Sequence, residues 1–532
     1  SAASDVYKRQ GLRLDARDGW LARDDARWRW RGKLALDGQH LGYRLRGAWN
    51  GSALLDAGQL SLAGEPMRLS IHHPSLGMQL RLPVESLRPP EWRGEMVFTG
   101  QWLDHPLQGQ IAFRHAQGQW SGRLKARTPK GLLEQDGILS LDLPWSSSGN
   151  ALILAKQGHV TLGQGLHGKL LLRPVTLQPS TPIRLDAAGL HGRAQLESGG
   201  AVAARWVLPR TRGTLALDGR KASLDVEVPG WDTRGKITAR FDGRTPQGTV
   251  TLNSELSEAM TQGLDFIARG GSLSTQAQWK YSRGLQFGGQ FRLEDAHFDL
   301  GGIQAEGITL DGQFEQTAGK LVLNSLHPLA IRRVDVGTEI SDIQAGWHYR
   351  DGLWQLHGLH AQALGGTLSG PQISWPADDF EPLTASALDL AQIAQLHEKP
   401  VIQMEGHIDG RIPVRINELG IAIHEARLYN RGPLVLRLVE GPGIERLSGK
   451  HAAVEWALAA LRHVHAKTFE ARVEMEPDGW LRAAVTLEGH NPDQGDQPVV
   501  FNYTHEENLY DLMRSLRMSQ ELSERVLRLK TP

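Results

Sequence analysis

Glycine-rich stretches are the first residues in this chain that could do chemistry, because the backbone N–H groups of such loops can hold a phosphate. A Gly-x-Gly-x-x-Gly pattern lies at Gly163, Gly165 and Gly168. A dinucleotide site needs a helix next, whereas the residues that follow, KLLLRPV, are typical of a strand. Residues 443–450 resemble a phosphate-binding loop, but five residues instead of four separate the glycines, and His451 replaces the magnesium-binding Ser or Thr. Neither stretch predicts a nucleotide site.

Histidines and tryptophans are the next candidates for chemistry. His463 and His465, or His357 and His360, could approach each other, but no acidic residue or third histidine sits at a useful spacing. The chain has no cysteine, which excludes thiolate metal sites and cysteine nucleophiles. The 16 tryptophans could stack on sugars, although Trp more often covers the rim of a sheet. The sequence therefore predicts no catalytic, metal-binding or cofactor-binding residue, and a carbohydrate-active enzyme is a lesser alternative.

The overall composition excludes further classes. Lys plus Arg equals Asp plus Glu, 59 against 59, whereas a general nucleic-acid binder carries a basic excess. No window approaches the ~20 apolar residues that a membrane-spanning helix needs. A length of 532 residues exceeds the roughly 250–300 that one compact core supports, so several domains or an elongated body are expected. Residues 1–10 show neither the spacing of apolar residues that marks a strand nor the one that marks a helix. They are interpreted as a non-native or unstructured leader.

Short segments with apolar residues at every second position dominate the chain, and this period predicts β-strands with one apolar and one polar face. Ile412, Val414 and Ile416 show the pattern. A degenerate unit, x-Leu-x-Leu-Asp-Gly, recurs at residues 34–38 and 215–219, and as ITLDG at residues 308–312. We expect copies of one meander, in which each strand leads to the next through an Asp-Gly turn.

Four segments instead have helical spacing. Leu256, Met260, Leu264 and Ile267 share one side of a helix predicted for residues 253–270. The other predicted helices lie at ALDLAQIAQLHE, where Leu388, Ile393 and Leu396 share a side, after Ser448, and over residues 504–530. Thr504 and Glu507 form a capping box at the start of the last one, which is amphipathic.

So few helices cannot cover the apolar faces of so many strands. The predicted fold is mainly β: an elongated, twisted antiparallel sheet rolled into an open hydrophobic groove, with a few short helices and a C-terminal amphipathic helix. Such a groove would enclose acyl chains. The candidate groove residues are Leu215, Leu217, Val226, Val228, Val250, Leu252, Leu321, Leu323, Ile412, Val414, Leu434 and Leu436. The alternative is ordinary core packing in a structural or adhesive β-sandwich protein without ligand.

The C-terminal third resembles a known family. Residues 364–366 (LGG), then LDLAQIAQL, then residues 406–414 (GHIDGRIPV) are similar to the C-terminal module of AsmA-like proteins, in particular the YdbH branch. The tail agrees, with LEGHNPD, which contains Asn491-Pro492, and PVVFNYTHEENLYDLMRSLR, which contains residues 507–509 (ENL). The resemblance extends from about residue 365 to residue 517.

This resemblance implies bridge-like transport of phospholipids between the inner and outer membranes, contributing to outer-membrane lipid homeostasis, without catalysis. It implies a periplasmic protein anchored in the inner membrane through an N-terminal segment absent from this chain. It also implies a partner, a small outer-membrane lipoprotein of the YnbE type, at the C-terminal β-edge. The expected domains are an elongated repetitive β-groove, residues 11–363, and a YdbH-type C-terminal module, residues 364–532, which ends in the helix 504–530.

Overall fold

The structure, a computed structural model, divides into two compact units, residues 1–251 and 252–532, and each is built mainly from antiparallel strands. It describes residues 12–25, 27–40, 43–57, 59–73, 76–84, 87, 92–102, 105–241, 245–282, 285–300, 303–317, 320–395, 402–438 and 459–515.

The first unit contains long strands joined mostly to their sequence neighbours. They are β1 (Leu12–Asp24), β2 (Arg27–His40), β3 (Tyr43–Asp56), β4 (Gln59–Gly64), β5 (Met67–His73), β6 (Leu76–Leu82), β7 (Trp92–Trp102), β8 (His105–Ala116), β9 (Gln119–Arg127), β10 (Gln135–Asp136), β11 (Leu139–Ser148), β12 (Ala151–Leu154), β13 (His159–Leu162), β14 (Gly165–His167), β15 (Leu170–Leu172), β16 (Val175–Pro179), β17 (Ile183–Asp186), β18 (Gly189–Ser198), β19 (Ala201–Ala203), β20 (Trp206–Leu208), β21 (Thr211–Gly219), β22 (Lys221–Val228) and β23 (Thr233–Arg240), followed at the boundary by β24 (Gln247–Glu255).

The pairing order in this unit is β1, β2, β3, β5, β6, β7, β8, β9, β11, β13, β16, β18, β21, β22, β23. Strands β10, β14, β15, β19 and β20 form a separate small sheet. The two-residue period of a strand sorts the side chains. In β9, for example, Leu124 and Ala126 lie on one face and Arg123 and Lys125 on the other.

The second unit repeats this organisation with longer strands, each paired mainly with its sequence neighbours. They are β25 (Phe266–Tyr281), β26 (Leu285–Leu300), β27 (Ile303–Thr317), β28 (Lys320–Ser325), β29 (Leu329–Asp335), β30 (Glu339–Arg350), β31 (Leu353–Ala363), β32 (Gly366–Trp375), β33 (Glu381–Asp389), β34 (Ile402–Asn417), β35 (Gly420–Leu438), β36 (His463–Met475), β37 (Trp480–Asn491) and β38 (Gln497–Asn508).

Helices are short in the described part of the chain. One α-helix, α1, spans Leu390–Ala394, and the 3-10 helices are Pro229–Trp231, Glu258–Met260 and Pro492–Gln494. Helical residues also occur at 459–461 and 509–515. The predicted mainly-β, antiparallel fold with few short helices is therefore confirmed.

The predicted helix over residues 253–270 is wrong. Strand β24 continues to Glu255, a 3-10 turn occupies Glu258–Met260, and β25 starts at Phe266. Gly263 has a left-handed φ of 87°, which a helix does not allow, and Ile267 lies opposite Asp299 in a β-ladder. Long-range strand pairing outweighs a short helical spacing here.

The helix predicted at ALDLAQIAQLHE is present but shorter. The Asp389 carboxylate caps it by accepting a hydrogen bond of 2.9 Å from the Ala391 N–H. Leu388 remains in β33 opposite Ile408, so it does not share a helical side with Ile393. Leu396 lies outside the described residues, as does the helix start predicted at Ser448.

The C-terminal helix begins later than predicted. Residues 504–508 belong to β38, and helical residues start at 509. The side chain of Asn508, not of Thr504, accepts the capping hydrogen bond, from the N–H of Asp511 at 3.1 Å. The capping box of Thr504 and Glu507 is therefore wrong.

The Asp-Gly turn is confirmed at one of its three positions. Asp218 pairs with Lys221, and Gly219, with a φ of 63°, turns the chain from β21 into β22. Residues 34–38 lie inside β2 and residues 308–312 inside β27. Both segments pair along their length with neighbouring strands, so the local Asp-Gly signal is overridden.

Candidate functional site

One face of the first unit carries a continuous row of apolar side chains and glycines, one residue per strand. Residues directly opposite each other in an antiparallel pair lie on the same face. We call the following set, in which each member pairs with the next, the apolar row: Leu14, Leu36, Gly47, Leu69, Leu80, Phe98, Gly109, Ala126, Leu141, Val160, Leu177, Leu196, Gly213, Val226 and Gly235.

The opposite face of the same strands is charged. Arg123 binds Asp142 with two hydrogen bonds of 2.5 and 2.9 Å, directly behind Leu124 and Leu141. The hydrogen bond from Arg123 lowers the pKa of the Asp142 carboxyl below its usual value. Ion pairs of the same kind occur further along this face. They include Lys236–Asp225 at 3.8 Å and Arg46–Asp37 at 3.6 Å. The sheet therefore separates a water-facing side from an apolar side.

The apolar row is only partly covered. Leu80 and Phe98 are buried, but Leu36, Leu69, Leu141 and others of the row are half-buried. Beside them lies an open cavity of about 340 Å³, lined by Leu14, Leu34, Leu36, Trp49, Met67, Leu69, Leu80, Leu82 and Met96 among others. A sealed sandwich would bury this layer completely, because its inner faces pack against each other.

In the second unit, aromatic rings take the place of the aliphatic row. Trp347 is 1% exposed, and its ring centroid lies 6.0 Å from Phe291 and 5.9 Å from Trp354. Gly312 makes room for it, since a Cβ there would come within 2.7 Å of the Trp347 ring. We call this set the aromatic patch: Phe287, Phe291, Phe314, Trp347, Tyr349 and Trp354.

Towards the C-terminus the apolar face is closed. Leu390 of α1 and Ala460 pack on strands β33 to β38, together with partly buried Ile393 and Leu461. We call this cluster the C-terminal core: Ala385, Leu388, Leu390, Ile408, Leu434, Leu436, Ala460, Val464, Ala466, Phe469, Ala471, Leu487 and Val499.

Four predicted groove residues come together in the first unit. Val226 belongs to the apolar row. Leu215 lies between Ala194 and Leu224, and Leu217 lies between Gly192 and Ala222, on the same face. These three side chains are half-buried. Val228 follows on that face and is 7% exposed.

The next four lie on β24 and β28. Val250 and Leu252 are half-buried on β24. Thr249 lies on the opposite, polar face of β24, where its hydroxyl is 2.7 Å from that of Thr238. Leu323 pairs with Phe314 and with Tyr349, and therefore borders the aromatic patch. Leu321 lies on the same face and is 36% exposed.

The last four lie at the closed end. Leu434 and Leu436 are members of the C-terminal core, with 2% and 6% exposure, and Ile412 packs against it. Val414 is also buried, opposite Ile423 and Glu381.

Sequence reasoning did not identify most of the apolar row or the aromatic patch. The alternation that marked Leu215 also marks Leu69 and Leu80, so the same period could have found them. The aromatic patch is different, because its members come from separate hairpins and local spacing does not bring Phe291 to Trp347.

Two further kinds of functional feature are absent from the described part of the chain. No helix there is both long and apolar enough to cross a membrane. Within the same residues, no group of three or more His, Asp or Glu side chains could hold a metal ion.

An antiparallel sheet with one apolar, partly open face and one charged face defines a β-groove class of protein. Within it, the chain belongs to the YdbH-like family: the family model, described as intermembrane phospholipid transport protein YdbH, matches residues 22–528. The chain is similar to an Escherichia coli (strain K12) protein named probable phospholipid transport protein YdbH, with 24% identity over 452 residues. The match covers 82% of this chain and 47% of that relative, so the chain spans about half its length. The predicted family is confirmed, and the match extends well upstream of residue 365.

Proposed function

We propose that this chain carries phospholipids between the inner and outer membranes, with the acyl tails sliding along its apolar face. The observation that carries the proposal is the apolar row, which continues from strand to strand while its reverse side is charged. The names of the family and of its relative support phospholipid as the cargo.

Apolar contact alone can offset the free-energy cost of moving a lipid along this face, without a catalytic step. Each methylene transferred from water to an apolar surface contributes about 0.8 kcal/mol, so a long acyl chain gains on the order of 10 kcal/mol. An apolar floor offsets the cost of exposing the tail outside a bilayer, while the head group remains in water at the rim. The protein acts as a conduit and not as an enzyme, and thereby contributes to outer-membrane lipid homeostasis.

The proposed groove floor consists of the half-buried candidates. Leu434, Leu436 and Val414 close the C-terminal end of the apolar face instead, because they are buried. Ile412 is half-buried as well, but it packs against the C-terminal core. The other half-buried candidates form the proposed floor: Leu215, Leu217, Val226, Val250, Leu252 and Leu323.

The location and the partner that we propose for this chain are inferred from the family. The chain works in the periplasm, anchored in the inner membrane through an N-terminal segment. Its partner is a small outer-membrane lipoprotein that adds a strand to the C-terminal β-edge. Strand β38 pairs with β37 along Gln497–Asn508 and is the last described strand of the chain. A free strand edge can accept a partner strand through main-chain hydrogen bonds, which is the contact proposed for β38.

The test compares an arginine on the apolar face with an arginine on the charged face. We expect Leu217→Arg to abolish lipid transport with little change in the melting curve, because a charge in the path obstructs acyl chains. Thr214→Arg is the matched control, since Thr214 faces Asp225 on the opposite side. Native mass spectrometry of the purified proteins measures retained phospholipid, and transfer between labelled vesicles measures transport. If Leu217→Arg unfolds the protein and wild type retains no lipid, the face is a sealed core and the proposal is wrong.

A further inference from the structure

An open cavity of about 620 Å³ lies on the charged face of the first unit, on the opposite side of the sheet from Leu69 and Leu80. Its polar side chains come from β3, β5, β6 and β7, and they include Arg44, Arg46, His72, Gln79, Thr99 and Gln101. Arg46 pairs with Ser70, and Ser70 pairs in turn with Gln79. Directly paired residues lie on the same face of a sheet. The volume falls in the range of small-molecule sites, roughly 300–1,000 Å³.

Gly77 forms an open part of the cavity floor. It pairs with His72 of β5 on one side and with Gln101 of β7 on the other, so a side chain at this position would point into the cavity. A Cβ built on Gly77 would meet no atom of the described residues within 4 Å, its own chain neighbours aside. The depression therefore arises because the residue between two long side chains has none.

Two arginines line the cavity and are only weakly paired. Arg44 and Arg46 occupy alternate positions of β3, and their Nε atoms lie 3.9 and 3.6 Å from the same oxygen of Asp37. Both side chains are half exposed or more. Exposed pairs of this kind contribute little, and each guanidinium group carries five N–H donors. One shared carboxylate thus leaves most donors of the two arginines available to an anion.

Further arginines extend the positive surface beside the cavity. Arg68, two residues from Ser70 on β5, is the direct cross-strand partner of Arg81 on β6. Glu95 also lies on this face, but beyond Val97, which pairs with Arg81. Like charges directly opposite each other are unfavourable in a sheet. A bound anion would reduce this repulsion.

We propose that this cavity binds the phosphate ester of a small polyol, of the glycerol phosphate type, either free or as the head group of an anionic phospholipid. Arg44 and Arg46 contact the phosphate, because the planar guanidinium fork matches phosphate oxygens with two N–H donors at once. The amides of Gln79 and Gln101 and the hydroxyl of Thr99 hydrogen-bond the polyol hydroxyls. The site does not rest on the proposed acyl path, since it lies on the other face of the sheet.

Two binding measurements on the purified full chain distinguish the two sources of the phosphate. Isothermal titration calorimetry with glycerol 3-phosphate measures the free ester. Co-sedimentation with phosphatidylcholine vesicles, with and without phosphatidylglycerol, measures the head group. We expect the wild type to bind in at least one of them. Binding to glycerol 3-phosphate assigns the free ester, and binding only to vesicles that contain phosphatidylglycerol assigns the lipid head group.

Two variants test the cavity itself. The double variant Arg44→Gln/Arg46→Gln should weaken binding at least about tenfold, because it removes charge-assisted hydrogen bonds to the phosphate. Gly77→Leu should weaken binding to a similar extent, since it fills the floor of the cavity and leaves every charge in place. Circular dichroism establishes that both are folded. The arginine variant alters only exposed side chains, so it still tests the site if Gly77→Leu does not fold.

Arg31→Gln is the matched control. It removes a positive charge from the same face of β2, eight positions along the strand from Gln39, the partner of Arg44. We expect it to bind as the wild type does. An equal loss in Arg31→Gln and in the double variant would mean that the face attracts anions only through its overall charge, and the site would be wrong. Unchanged affinity in folded Gly77→Leu, or no binding by the wild type in either measurement, would also overturn it. Leu217→Arg tests the acyl path separately and should leave this binding unchanged.

Discussion

At the scale of single residues, Trp347 shows how aromatic rings pack in the second unit. Its indole fills the space over Gly312 and contacts the ring of Phe291 on β26 and that of Trp354 on the adjacent strand β31. In the described structure its Nε1 is buried without a hydrogen-bond partner. The ring therefore contributes through its apolar area, against the cost of one desolvated N–H group.

Replacing the Trp347 ring with a smaller side chain should destabilise the protein. We expect Trp347→Ala to lower the free energy of unfolding by about 3–5 kcal/mol, because it leaves a large cavity. Trp347→Phe should cost less, since it removes the unpartnered N–H together with part of the ring. Urea denaturation followed by circular dichroism measures both. Trp480→Ala is the matched control: this side chain is 55% exposed, so its loss should change stability by less than about 0.5 kcal/mol.

Asp142 gives the charged face a dependence on pH. Its pKa is lowered in the folded chain by the hydrogen bond from Arg123, so the interaction stabilises above the unfolded-state pKa of about 3.9 and is lost as pH falls through the folded value. We expect Asp142→Asn to lower the melting temperature slightly at pH 7, and the difference from wild type to vanish in acid. A difference that persists unchanged well below pH 4 would contradict this origin.

At the scale of elements, the strands follow from the sequence more closely than the helices do. A period of two identifies Leu215 and Leu217 because each strand repeats it over many residues. The helical spacing of Leu256 to Ile267 is equally regular, yet Ile267 pairs with β26. That pairing depends on residues more than 30 positions away, which no local window contains. Helix starts fail for a related reason, since β38 extends through Thr504 only because β37 lies beside it.

The start of the C-terminal helix can be tested directly. We expect Asn508→Ala to destabilise the protein by about 1 kcal/mol, because it removes the hydrogen bond to the Asp511 N–H. Thr504→Ala should have almost no effect, since Thr504 is exposed in β38. Thermal melts compare the two variants. A larger loss from Thr504→Ala than from Asn508→Ala would place the helix start at residue 504.

At the scale of the whole molecule, the sequence predicts that an apolar face exists but not which residues are neighbours on it. Leu69 and Leu80 are adjacent because a hairpin pairs them, and Leu177 meets Leu196 although β17 intervenes in the chain. The cross-strand pair of His465 and His490 is another product of register, since the sequence analysis had brought His465 together only with His463. Lateral continuity is therefore a property of the folded sheet, and the proposed transport depends on it.

If lipids follow one continuous path, two blocking substitutions on that path should not have additive effects on transport. Leu69 and Leu217 lie on the same face of the first unit, many strands apart. If lipids pass both positions in series, Leu69→Arg and Leu217→Arg should each stop transfer between labelled vesicles, so the double variant should lose nothing further. Independent effects on folding would instead add for sites this far apart. Partial losses of transfer in the single variants that add in the double variant, together with additive losses in melting temperature, would therefore contradict a single path along the apolar row.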